Sequence, residues 1–211
     1  MQFAPEGKPF FIGLTIVTVV VFYFAGVWAA VVPFVLFLFM FVFFRDPDRV
    51  TPDGDEKIAS PADGRVIIVE NTHEGEYLQA DVLQISIFMS PLNVHVNRVP
   101  FAGAVKSVKH NPGAFYKAFT DEAFRKNENI ATVFSTSKGD ILVRQVAGSV
   151  ARRAVCRVAP GDTLRTGERF GIIKFSSRVD LFLPPSAKAA VKPGDMVRAG
   201  ESVIATWQET A

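Results

Sequence analysis

Val158-Ala159-Pro160-Gly161-Asp162, then Arg165 and Gly167-Glu168, recurs 33 residues later as Val191-Lys192-Pro193-Gly194-Asp195, then Arg198 and Gly200-Glu201. In each copy Pro-Gly-Asp supplies a turn, a short strand follows, and Gly-Glu turns into the next strand. Two such units in one small sheet predict a mainly β domain, a sandwich or barrel with a pseudo-twofold internal repeat. Between the copies lies Lys174-Phe175-Ser176-Ser177-Arg178, where a duplicated unit would present a hairpin or crossing strand. Upstream, residues 64–69, 83–88, 94–99, 131–134 and 141–146 are short, β-branched apolar runs bounded by turn residues and read as strands. The chief helix expected outside the N-terminal region is at 114–126.

The N-terminal region differs in kind. Residues 10–44 are 35 positions without one Asp, Glu, Lys, Arg or His, and they hold 10 of the chain's 20 phenylalanines. A single straight helix of that length would extend about 52 Å, well beyond a hydrocarbon core of about 30 Å. Gly26, near the middle, and Pro33 after it predict two short helices, about 10–25 and 29–44, folded as a hydrophobic hairpin. Such a hairpin either crosses the bilayer twice or re-enters. Lys8 at one end and Arg45 and Arg49 at the other put both ends, and the domain at 45–211, on the cytoplasmic side. A cleaved signal peptide fits less well, because apolar sequence continues well past its candidate cleavage site at Ala29-Ala30.

The remaining residues have the composition of an ordinary soluble domain, so the chain is neither disordered nor a polytopic transporter. A net charge of +2 makes no case for nucleic acid as a partner. One cysteine, Cys156, excludes an intrachain disulfide and reads as a small core residue.

Four local features carry candidate chemistry. Ser60-Pro61-Ala62-Asp63-Gly64 sets one carboxylate just before a strand, where the bland reading is an Asx turn. In Ser90-Pro91-Leu92-Asn93-Val94-His95-Val96-Asn97-Arg98, alternation puts Asn93, His95 and Asn97 on one face. The other histidines, His73 and His110, are not at metal-ligand spacing from His95, so no metal site is expected. The third feature is the loop His110-Asn111-Pro112-Gly113, and the fourth is the segment 174–184, with two adjacent serines in an apolar run.

Taken in order, these features resemble a pyruvoyl-dependent phosphatidylserine decarboxylase proenzyme of the short bacterial type. The carrying residues are the apolar N-terminus ending in Phe43-Phe44-Arg45-Asp46-Pro47, Ser-Pro-Ala-Asp-Gly, Ser-Pro-x-x-x-His, Asn-Pro-Gly, Gln145 to Arg153, and Gly167-Glu168-Arg169-Phe170-Gly171-Ile172-Ile173-Lys174-Phe175 with Ser177-Arg178-Val179-Asp180. The resemblance covers essentially the whole chain. It implies that Ser177 attacks the preceding carbonyl, that the resulting ester eliminates, and that Ser177 becomes an N-terminal pyruvoyl group. That group would form a Schiff base with phosphatidylserine and accept the electron pair left by CO2, giving phosphatidylethanolamine. Asp63 and His95 fall at the family's conserved acid and histidine, with the division of labour between them open. Arg98 stands where larger relatives have a second histidine, and Arg98 and Arg153 are candidate substrate-binding residues. The implied partners are phosphatidylserine, membrane lipid, and the large and small chains with each other, with homo-oligomer formation left open. The implied location is the bacterial cytoplasmic membrane.

One departure bears on processing. Ser176 stands where the family has glycine, and a Cβ there burdens a strained intermediate. The expectation is a deliberately blocked or slowly processed proenzyme. Two other readings remain: a biotinyl- or lipoyl-type carrier modified on Lys174, and a non-catalytic membrane-anchored β domain.

Overall fold

The computed structural model describes residues 2–113, 127–148, 153–174 and 177–208. The chain forms two compact units, 1–48 and 49–211. The expected helix at 114–126 lies outside the described residues.

The first unit is a helical hairpin. Helix α1 (Lys8–Phe43) contains one residue with non-helical dihedrals, Gly26 at φ 81° and ψ 178°, a region that essentially glycine alone occupies. Here the chain reverses: the Phe11 ring lies 4.6 Å from that of Phe41 and 6.3 Å from that of Phe37, which a straight helix would hold far apart. Pro33 is accommodated inside the second arm. At the base, β1 (Gln2–Phe3) pairs antiparallel with β2 (Arg45–Asp46). The Ala4 N–H donates to Phe44 O there at 2.9 Å. Thr15 and Thr18, polar residues in an apolar helix, satisfy their hydroxyls on the carbonyls of Phe11 and Leu14. Most other side chains of the arms are exposed, including Ile12, Ile16, Val19, Phe22, Val32 and Val35.

The second unit is mainly β. Its large sheet runs β11 (Thr163–Leu164), β7 (Gly103–Asn111), β8 (Asn129–Thr136), β9 (Gly139–Ala147), β13 (Ser177–Leu183), β5 (Ala80–Met89), β4 (Gly64–Glu74), β15 (Met196–Val197). Two three-stranded sheets accompany it: β10 (Ala154–Cys156), β12 (Arg169–Ile173), β6 (Val96–Arg98); and β14 (Ala187–Ala189), β16 (Val203–Trp207), β3 (Lys57–Ala59). All pairings are antiparallel among the described residues.

The segments spaced by 33 residues make matching local bonds. Asp162 accepts from the Ala159 N–H at 2.8 Å and Asp195 from the Lys192 N–H at 2.9 Å. Gly161 and Gly194 have φ of 98° and 101°, which the third position of such a turn requires. β11 then pairs with β7, and β15 with β4, at opposite edges of the large sheet.

The core lies between the inner face of the large sheet and the two small ones. It joins Ile85, Ile87, Val143, Val179, Leu181 and Leu183 to Ile58, Phe170, Ile173, Ile204 and Trp207. The outer face has a smaller cluster of Val82, Ala131, Val133, Leu142 and Phe182. Central β13 is therefore buried on both sides, which is why its sequence reads as a continuous apolar run rather than an alternation. β7 was not anticipated, because Lys106, Ser107, Lys109 and His110 give it a polar face and a bulge between Val105 and Ser107 breaks the period.

Candidate active site

The site begins at the first residue of β13. Ser177 is fully buried and pairs with Met89 of β5 on one side and Ala147 of β9 on the other. Its side chain shares the inner face with Val179, and its hydroxyl donates to Met89 Sδ at 3.4 Å. Ser176 lies outside the described residues.

A polar pair sits in the same apolar layer. Gln145, opposite Val179, donates from Nε2 to Asn97 Oδ1 at 2.8 Å, joining the large sheet to β6. Both side chains are fully buried, and Gln145 Oε1 has no hydrogen-bond partner among the described residues. Gly171 makes room for this bond: a Cβ there would lie 2.7 Å from Gln145 Nε2 and 2.4 Å from Val155 O.

His95 is placed by a local device. Asn93 Oδ1 accepts from the Ser90 N–H and hydroxyl, each at 2.8 Å, which closes the Ser90-Pro91-Leu92-Asn93 turn. The Asn93 carbonyl then meets His95 Nδ1 at 2.9 Å. A carbonyl only accepts, so Nδ1 carries the hydrogen and, in the neutral ring, Nε2 carries the basic lone pair. The ring is fully buried, and the His95 carbonyl accepts from Ile173 N, four residues before Ser177. Asn93 is thus a turn-former, whereas His95 and Asn97 face the interior.

Asp63 lies at the mouth of β4. Its Oδ1 accepts from the Ala199 N–H at 2.7 Å, and its two oxygens accept from Arg49 Nη2 at 3.3 and 2.9 Å. These bonds carry the carboxylate well beyond its own turn, to Arg49 and to the Ala199 backbone. Its turn is bonded to β6 through Arg98 N–H to Pro61 O at 3.0 Å. Arg98 is buried and donates from Nη1 to Gly167 O at 2.9 Å, while Arg153 is exposed and offers its carbonyl to Lys174 N. Lys174 itself is half-buried at the end of β12.

On the outer face, Arg178 and Asp180 form a buried ion pair. Arg178 also donates to Ser86 Oγ at 3.1 Å, and Arg144 to Asp180 at 3.3 Å. Met89, Gln145, Asn127 and Arg49 escaped sequence reasoning. Asn127 donates to Ala147 O, the register partner of Ser177, and nothing in its local pattern marks it for that task. Among the described residues, no group of three or more His, Cys, Asp or Glu side chains could hold a metal ion.

Comparison with known proteins adds the following. A family profile described as "Phosphatidylserine decarboxylase" matches residues 36–205. A "Phosphatidylserine decarboxylase proenzyme" of Syntrophus aciditrophicus (strain SB) is 44% identical over 206 residues, covering 97% of each chain. A protein of the same name from Desulfotalea psychrophila is 46% identical over 167 residues, covering 79% of this chain and 78% of the relative. One from Nitrosomonas eutropha is 42% identical over 207 residues, covering 97% and 95%.

Proposed function

This chain belongs to the phosphatidylserine decarboxylase family, and from that premise we propose that it decarboxylates phosphatidylserine to phosphatidylethanolamine, using a pyruvoyl group that it makes from its own Ser177. The observation that carries the reading is the setting of Ser177, a buried hydroxyl at a strand start that meets Met89 Sδ, the atom that Asn97 Nδ2 also approaches. The setting suits the conversion. Ser177 Oγ lies against a thioether, a weak acceptor, so exchanging the hydroxyl for a keto carbonyl strands no strong buried acceptor. Once formed, the group supplies a sink for the electron pair released with CO2.

The chain's own residues do the rest. Ser177 Oγ attacks the carbonyl of residue 176, and its proton passes by way of His95 Nε2 to the leaving peptide nitrogen, giving an ester. Loss of the Ser177 Cα proton then expels residue 176 as a carboxylate, and water hydrolyses the resulting imine, releasing ammonia and leaving the keto carbonyl. Asp63 serves in processing as the carboxylate whose negative charge favours the His95 imidazolium formed in that proton transfer. During turnover the protonated His95 returns a proton to the substrate carbon that has lost CO2. The buried setting keeps water from that carbon.

The hairpin is the membrane device in this reading. Its exposed Ile, Val and Phe side chains demand an apolar surrounding, and the segment is long and apolar enough to cross a membrane. Each arm, at about 17 residues, extends about 26 Å, close to the hydrocarbon thickness. Tyr23, Phe24 and Trp28 cluster at the reversal and are 80%, 81% and 87% exposed, so the tip carries the residues that favour a membrane–water interface. We infer a double crossing in a bacterial cytoplasmic membrane, with residues 49–211 on the cytoplasmic side.

Two measurements test the activity. Intact mass followed over time should show fragments of 176 and 35 residues, slowly from the parent and faster from Ser176→Gly. CO2 release from phosphatidylserine should track their appearance. Processing without CO2 release, or CO2 release from Ser177→Ala, would overturn the reading.

A further inference from the structure

Arg49 is the cation on which Asp63 rests. Its side chain is 8% exposed and that of Asp63 10%. One arm of the guanidinium, Nη2, meets both oxygens of Asp63; the other, Nη1, meets Glu201 Oε2 at 2.8 Å. Two carboxylates from separate turns are thus held by one fork, whose fixed planar donors aim both bonds as a single rotatable ammonium cannot. The turns are themselves tied together: Gly200 N–H donates to Ser60 O and Ser60 N–H to Ser202 O, each at 2.8 Å. Among the described residues, the charged groups near the carboxylate include Arg49, Glu201, Arg198 beyond Glu201 at 3.8 Å, and Arg98 from β6, whose Cδ packs over Gly200.

We propose that Arg49 is a positioning residue: by bridging Asp63 and Glu201 it aims the Asp63 carboxylate and keeps it charged, and self-processing at Ser177 depends on it although Arg49 takes no part in the chemistry. This rests on the role given above to Asp63. Without the bridge, two carboxylates would share a poorly solvated corner, and like-charge repulsion would turn Asp63 away or protonate it. Because a lost cation disfavours the ionised form, the acid limb of the processing rate should move to higher pH.

The test uses the full chain carrying Ser176→Gly. Arg49→Gln should slow processing, read by intact mass, by tenfold or more and move the acid limb up by at least half a pH unit. Arg49→Lys, which keeps the charge but loses the fork, should recover part of the rate. Arg49→Gln combined with Asp63→Asn should be no slower than Asp63→Asn alone. A parental rate and pH profile in Arg49→Gln, or additive losses in the double variant, would overturn the proposal. A second measurement is independent of activity: the Asp63 carboxyl titration followed by 13C NMR in the uncleavable Ser177→Ala chain should shift upward with Arg49→Gln, and an unmoved titration would overturn it. If Ser176→Gly never processes while that titration does shift, the function assigned to Ser177 fails and the bridge stands.

Discussion

Replacing Asn97 should cost more than replacing Gln145, although the two share one hydrogen bond. Gln145→Met removes the Nε2 donor and strands Asn97 Oδ1, a buried acceptor, at about 1–3 kcal/mol. The same change removes Gln145 Oε1, which has no partner among the described residues and already carries a penalty of similar size. The two terms offset, leaving about 0–1.5 kcal/mol. Asn97→Leu strands Nε2 instead, leaves Oε1 unsatisfied and loses the weak contact from Nδ2 to Met89 Sδ at 3.8 Å, so nothing offsets its cost of about 2–3 kcal/mol. Urea unfolding of the two single variants and the double variant measures both numbers and their coupling. The double variant should fall well short of the sum, because an apolar pair leaves no group stranded. Gln145→Met costing as much as Asn97→Leu, or strict additivity, would refute this account of the buried pair.

Gly64→Ala should destabilise the β domain by about 2–4 kcal/mol, since backbone overlap and a strained φ combine. Gly64 has φ 158°, and a Cβ there would lie 2.1 Å from Phe88 O, an atom that the strand cannot surrender; a loss below 0.5 kcal/mol in urea melts would count against it. Gly26→Ala meets open space but not an allowed conformation, so it should loosen the reversal, seen as broadened spin-label distances between positions 11 and 41 in bilayers. Trp28 fluorescence in vesicles should be quenched most by bromines placed near the headgroups; strongest quenching from mid-chain bromines would indicate a re-entrant tip instead. Glu168 is held below the usual carboxyl range by its side-chain bond to the Arg165 guanidinium, aided by the Arg165 backbone N–H. A lowered folded-state value stabilises above the unfolded value and is lost as pH falls through the folded one. Glu168→Gln should therefore differ slightly from the parent at pH 7 and converge with it in strong acid, the difference being small because the pair is exposed.

What the sequence made legible was whatever depends on local chemistry. Gly26 announced the reversal because few residues tolerate its dihedrals, and Pro-Gly-Asp announced two turns because each Asp bonds the N–H three residues back. Ser90 and Asn93 belong with these, since their turn delivers His95 within six residues. The rest depends on partners far apart in sequence. Asn97 and Gln145 are 48 residues apart, Asp63 and Ala199 are 136 apart, and no spacing rule relates them. Arg49 looked like a flanking charge at the end of an apolar segment, the bland reading for any arginine there. Its role is visible only once β3, β4 and the Gly200-Glu201 turn are folded together.

The two faces of β13 explain how a chain could survive a break immediately before Ser177. Toward the core, Ser177, Val179, Leu181 and Leu183 pack into the main apolar cluster. Away from it, Arg178 and Asp180 are locked to Ser86 and Arg144, residues of both neighbouring strands. Seven register pairs with β5 and six with β9 remain whichever covalent bond precedes the strand. A fragment beginning at Ser177 would further keep β14, β15 and β16 in their sheets. A new terminus made there has little freedom to move, because the strand that carries it is central, buried on both faces and charge-paired at its second residue. Preorganisation of that kind keeps a reacting group in place without a dedicated clamp.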